Sequence, residues 1–587
     1  MQLAAIDWLI VTLFMAVSLL TGVLVSRRAG ANAESYFLSG RNMPWWLLGT
    51  SMVATTFAAD TPLLVTDIVR NDGVAGNWVW WAFLLTGMLT TFVYARLWRR
   101  SGVFTDLEFY ELRYSGRAAS AVRAFRAVYL GVFFNVIVMA TVCLAGIKIS
   151  AVMLGASALE TIVVAGTVTL VYSALGGFVG VVLTDLVLFV IAMSGAVVAA
   201  WFALDHPQVG SLSALLSHPE VGDRLALLPD FSRWDQAVMI FVIPLALQWW
   251  NVWYPGAEPG GGGYVAQRML AARSERHAMG AVLFFQVAHY ALRPWPWIIV
   301  ALASLVVFPD VASLAAAFPG IESSVIGEDL AYPAMLSFLP AGALGLVLAS
   351  LVSAFMSTMS TQVNWGSSYV VNDVYRRFLR PEASERELVR VGRLTSVVLM
   401  VLACVVSLFL ESALQAFNVL LSIGAGTGLL FILRWFWWRI SAWSEITAMV
   451  VSFAAALYFH SASLPGWEPW QKLLAPIAVT TFAWLVVTLL APVTAPATLR
   501  TFYLLVHPAG PGWARVRAAL QAEGQLTEPR LGSLSLALLC MFAGSIAVYS
   551  LLFGIGYLLY GETLLASLLF GLACAGAALI FHSWNRL

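Results

Sequence analysis

Charge is scarce in this chain. Of its 587 residues only 11 % are charged, 60 % are hydrophobic, and mean hydropathy is +0.84. A soluble domain needs a polar shell that this mixture cannot supply. A net charge of +1 excludes a strongly basic surface for nucleic acid. The seven histidines show no metal-ligand pairing, and no nucleophile–base motif is visible, which argues against a membrane-embedded enzyme. The four cysteines, Cys143, Cys404, Cys540 and Cys574, lie in apolar stretches with no metal-ligand spacing and no evident disulfide role. Long loops are missing as well: 204–234, 309–335 and 493–531 are too short for a soluble catalytic domain. The short alternating segments of a β-barrel are absent. The first apolar stretch has no charged leader and no cleavage motif, so it reads as a retained helix.

What remains is a succession of apolar stretches of roughly 20 residues, each long enough to cross a bilayer. Fifteen can be drawn, from 5–26 to 563–582. The chain therefore reads as an all-α polytopic membrane protein of about 15 transmembrane helices. Arginines gather in alternate connections, as in Arg27, Arg28 and Arg41, then Arg99 and Arg100, then Arg268, Arg273 and Arg276, then Arg376 and Arg377. The 309–335 loop holds only acidic charges, among them Glu328 and Asp329. The positive-inside rule then puts the N-terminus outside and the C-terminus in the cytoplasm of the cell (inner or plasma) membrane. Lys148, near the outer end of its span, is expected to snorkel.

Two spans are interrupted. The second, 44–68, contains Asp60, Pro62 and Asp67, and a break near Thr55 to Ala59 would free carbonyls to coordinate a cation. The seventh, 236–256, runs into Pro244, Pro255, Pro259 and the four glycines Gly260 to Gly263. This glycine run lacks the Gly-Lys-Ser/Thr of a phosphate loop. Broken helices at matching places in two halves point to an inverted-repeat transporter. In the ninth span Ser357, Ser360, Thr361 and Asn364 recur at i, i+3, i+4 and i+7, so they share one helix face, with Thr358 beside them. Such a stripe is either a close helix contact or a neutral oxygen cage for a small hard cation. A channel is the rival to a carrier, but broken helices around a closed midplane site fit alternating access better.

Five segments, in order, resemble the sodium:solute symporter family of sodium-coupled sugar, proline and sialic-acid carriers. They are ESYFLSGRNMPWWLLGTSM, TDLEFYELRYSG, YSALGGFVGVVLTDLVLF, YVAQRMLAARS and SAFMSTMSTQVNWGSSYVVNDVY, spread between residues 34 and 375. The resemblance implies a leucine-transporter-type core of two inverted five-helix repeats. It divides the chain into an extra helix and loop (1–33), a first repeat (34–203), an extracellular loop (204–234), a second repeat (235–436) and further C-terminal helices (437–587). It implies Na+ as coupling ion, held at a shared site by carbonyls of Ala54, Phe57 and Ala354 and hydroxyls of Ser357 and Thr358. A second Na+ is implied at Asp185, Ser357, Ser360 and Thr361, although Leu188 stands where the family often has glutamine.

For the solute, Asp60 falls where sugar-carrying relatives place an acidic contact, and Thr61 follows it. Tyr264 resembles their inner gating tyrosine, while Gly262 and Gly263 replace the polar pair beside it. Trp249, Trp250, Trp253 and Tyr254 form an aromatic cluster able to stack on a sugar. His289 and Arg293, one turn apart, face the solute, pair with Asp60 or Asp67, or lie near the outer interface. The expectation is a sodium symporter, monomeric, taking two Na+ with a small polar solute, a sugar or polyol ahead of an amino or organic acid. A transporter-like sensor is a weaker reading, since no signalling domain follows the core.

Overall fold

In the computed structural model, residues 3–29, 33–250, 259–410, 426–461, 466–526 and 534–587 are described. Among them there is no β-strand, only an isolated bridge between Met43 and Ala272. Among the described residues ten helices are long and apolar enough to span a membrane, and an eleventh span is a bent pair. Shorter apolar helices at Ala5–Ser18, Ala158–Val171 and Trp234–Ala246 coincide with three further expected spans. The remaining one, 413–436, falls partly outside the described residues, with Gly428–Phe436 helical.

Local chemistry sets the boundaries. Ser157 and Glu160 form a capping box that starts the helix Ala158–Leu204. Within it Gly177 has φ +53°, a backbone open to glycine, and a Cβ there would lie 2.9 Å from the Tyr36 ring. That residue separates the two spans expected at 158–176 and 180–203. The second expected span splits into half-helices Trp45–Thr56 and Asp60–Asp72, bent by 58°. The Phe57 N–H closes the first half on the Val53 and Ala54 carbonyls.

The helix Ala343–Tyr369 is buried along almost its whole length and packs most extensively on the helix Ala158–Leu204. The expected polar face of Ser357, Ser360, Thr361 and Asn364 therefore points into protein. A wide π-helical turn at Ala288–Leu292 precedes Pro294, whose ring and missing N–H disfavour the regular ladder. It sets His289 and Tyr290 inward, and both are buried.

Lys148 does not snorkel. It is buried and pairs with Asp329 at 2.7 Å, while Arg70 pairs with Glu328 at 2.5 Å and donates to Ser304 at 3.1 Å. The acidic 309–335 segment thus folds down onto Asp60–Asp72 and Asn135–Leu154, because a buried cation needs a paired carboxylate.

Candidate functional site

The half-helix break and the hydroxyl stripe meet. Thr358 Oγ1 donates to the Thr55 carbonyl at 2.7 Å, and the hydroxyls of Thr55 and Thr361 are 3.0 Å apart. Both helices thereby gather oxygen atoms where the first half-helix ends. Its last carbonyls carry roughly half a negative charge. Ala54 and Phe57 lie at this end, and Ala354 is one turn before Thr358 on the facing helix. The donors are neutral oxygens in a dry setting, which is suitable chemistry for Na+.

Asp185 is fully buried and accepts from Ser51 Oγ at 2.5 Å and Ser357 Oγ at 2.6 Å. Arg268, also fully buried, lies 3.7 Å from the same carboxylate. Its guanidinium donates to Ser51 Oγ at 3.0 and 3.1 Å and to Thr361 Oγ1 at 2.8 Å. Phe178 and Tyr264 flank it, with ring centroids 5.2 and 5.6 Å away. Arg268 is therefore not the loop charge that the arginine pattern counts; the helix Gly263–Ala271 carries it into the centre of the protein. Of the residues expected around a second ion, Ser357 touches Asp185 and Thr361 reaches it through Arg268. Ser360 donates to its own helix, at the Ser357 carbonyl, 3.0 Å. Asn364 accepts from Gln267 at 3.0 Å.

Beside the break is a cavity of about 100 Å³. Thr55, Thr56 and Thr358 line one side, Asp60, Thr61 and Thr141 another, and His289, Tyr290, Arg293 and Trp80 a third. Thr141 donates weakly to Asp60 at 3.3 Å. Trp80 stacks on Tyr290 with centroids 5.8 Å apart and meets His289 edge-on at 5.6 Å. Asp60, Thr61 and His289 thus line one cavity. The aromatic wall is Trp80, Phe83 and Tyr290, which sequence reasoning did not single out. Trp250 does not line this cavity; it packs on Trp249 at 5.3 Å, and the Trp249 carbonyl accepts from Thr86. Trp253 and Tyr254 lie outside the described residues. Tyr264 lines a smaller neighbouring cavity with Thr86, Gly261 and Gln286, and Phe83 and Tyr290 border both spaces.

The profile of the sodium:solute symporter family matches residues 36–451. The chain belongs to the sodium:solute symporter family. The sodium/glucose cotransporter of Vibrio parahaemolyticus is 25 % identical over 480 residues, covering 79 % of this chain and 87 % of its own length. The sodium/mannose cotransporter SLC5A10 of Bos taurus is 26 % identical over 422 residues, 68 % of each chain. A solved Na+-coupled sialic acid symporter in a substrate-bound, outward-open state superposes with TM-score 0.68 at 20 % identity, covering 84 % of this chain and 99 % of that one. The chain is thus a multi-pass membrane transporter with the leucine-transporter-type core, and not an enzyme.

Proposed function

We propose that this family member imports a small hydroxylated solute, a sugar or polyol, together with Na+ by alternating access. One observation carries the reading: Thr55, Thr56 and Thr358 belong both to the cation-suited break and to the wall of the polar cavity. An ion that tightens the contact between the half-helix and the hydroxyl helix also shapes the solute's wall, so each favours the other's binding. The sugar relatives support the solute class. Aromatic Trp80 would stack on an apolar sugar face while Asp60, Thr61 and Thr141 bond its hydroxyls.

On this reading Ala54, Phe57, Ala354, Ser357 and Thr358 hold the first Na+. The second takes Asp185, Ser357, Ser360 and Thr361, sharing the carboxylate's field with Arg268, and two Na+ accompany each solute. Residues 34–203 and 235–436 form the inverted repeats, Tyr264 the inner gate, and the N-terminus lies outside. Sodium gradient and potential supply the work, about 2.3 kcal/mol per charge per 100 mV.

The test is uptake of labelled monosaccharide into proteoliposomes holding the purified protein, driven by sodium or by choline. Accumulation only with sodium is expected. Equal accumulation with choline overturns sodium coupling, and accumulation of an amino acid in place of any sugar or polyol overturns the solute class.

A further inference from the structure

A separate cavity, of about 660 Å³, lies between the helix Glu275–Val287 and the last two helices, Leu534–Leu559 and Thr563–Ser583. Arg276, Gly280, Leu283 and Val287 recur along the first helix at i, i+4, i+7 and i+11, so they form one stripe about 16 Å long. Ala577, Ile580 and Phe581 line the cavity from the last helix, and Gly544, Val548 and Met88 complete it. Phe581 is 84 % exposed in an apolar spanning helix, so the mouth faces lipid. Only Arg276 and His277 among the lining residues are charged or titratable, and they are neighbours at one end. Trp45 is at that end too, where its N–H donates to His277 Nδ1 at 3.0 Å.

No side-chain hydroxyl, amide or carboxylate lines this space, so it suits neither a polar solute nor a metal cation. The stripe is about half as long as the roughly 30 Å hydrocarbon core, the depth of one leaflet. At its charged end Arg276 is exposed, and among the described residues no carboxylate pairs with it. The adjacent Glu275 is taken by Arg100 at 2.8 and 3.1 Å, and Arg99 donates to the Ala272 carbonyl at 2.5 Å, so positive charge is in excess there. Such surroundings attract a phosphate and repel the choline of a zwitterionic lipid. We propose that the cavity is a site for one anionic phospholipid, its phosphate on Arg276 and an acyl chain along Gly280 to Val287. The opposite face of the same helix bears on the broken span. A Cβ on Gly49 would lie 2.8 Å from the Ala281 carbonyl and from the Phe284 ring, and Trp45 meets Phe284 edge-on at 6.0 Å. A seated lipid therefore braces Glu275–Val287 against the half-helix Trp45–Thr56.

Native mass spectrometry of the purified, delipidated full chain tests it, with phosphatidylglycerol and phosphatidylcholine of the same acyl chains added in turn. One phosphatidylglycerol should be retained per chain, bound roughly 10-fold more tightly than phosphatidylcholine, the factor of one charge-assisted contact. Arg276→Gln, at an exposed position, should bring the two affinities together. Ala577→Trp fills the trough from its exposed rim and should weaken both lipids alike while leaving the melting temperature of the lipid-free protein unchanged. Equal retention of the two lipids by the unaltered chain overturns the proposal, as does a preference that survives Arg276→Gln. Unchanged affinities in Ala577→Trp, or binding that does not saturate at one lipid per chain, show an ordinary lipid coat and overturn it as well. A lipid-free dimer that Ala577→Trp dissociates gives the cavity to a second copy of the chain, which also overturns it.

Discussion

Replacing Asp185 by asparagine separates two jobs of one carboxylate: the counter-charge to Arg268 that the structure shows, and the second-Na+ ligand proposed above. It is bonded by Ser51 and Ser357 and faces Arg268 at 3.7 Å, all fully buried or nearly so. Removing one charge of a buried pair costs about 3–5 kcal/mol, since the guanidinium is left uncompensated. Asp185→Asn is therefore expected to lower the melting temperature in choline. Sodium adds a separate increment of RT ln(1 + [Na+]/Kd), about 2.7 kcal/mol per site at 100 times Kd. A protein with two sites gains about twice that, and the variant about one share. Its Hill coefficient for sodium should fall toward one while some transport persists. Adding Arg268→Gln removes the stranded cation and should recover part of the loss in choline without restoring the second increment. The assay is thermal denaturation across a sodium titration, paired with charge-to-solute flux in proteoliposomes. An unchanged Hill coefficient and an unchanged sodium increment in Asp185→Asn would refute the reasoning, leaving Asp185 as the counter-charge of Arg268 alone.

Three more outcomes are expected. Thr358→Ala removes the bond to the Thr55 carbonyl and should raise the half-saturating sodium concentration several-fold, with Thr358→Ser closer to normal; equal sodium activation in both would count against Thr358 as a ligand. Lys148→Met strands Asp329 and should destabilise by about 3–5 kcal/mol, whereas Lys148→Met with Asp329→Leu should be milder; denaturation of the single and double variants measures the coupling. Burial pulls the Glu111 carboxyl upward, but hydrogen bonds from Arg377, Ser120 and Arg123 prevail and hold it at about 2, below the usual 4.5. Its contribution to stability is then fully present above pH 4.5 and lost as pH falls toward 2, so Glu111→Gln should flatten the stability profile in that window.

Features written locally were legible in the sequence. Asp60 and Pro62 inside an apolar span announce a break, and the backbone turns there by 58°. The stripe of Ser357, Thr361 and Asn364 announces an inward face, and each side chain finds a partner on another element. Non-local features were not legible. Lys148 finds Asp329 across 181 positions, which no span-by-span reading connects. Arg268 was counted with the loop arginines because the pattern of charge records only position along the chain. The glycines before it, Gly260 and Gly261 at φ +92° and +83°, turn the backbone so that the following helix is buried. Trp80 and Phe83 sit in an aromatic run where nothing distinguishes the rings that face a cavity from Trp78 and Trp81.

The two ion pairs that pin the 309–335 segment, Arg70–Glu328 and Lys148–Asp329, each sum to zero charge. If the 309–335 segment moves with each pair kept intact, those pairs carry no net charge through the transmembrane field. The membrane potential then does almost no work on them, although each lone charge crossing 100 mV would exchange about 2.3 kcal/mol. Transient currents recorded when voltage is stepped without solute would then report the entry of sodium and nothing from these two pairs.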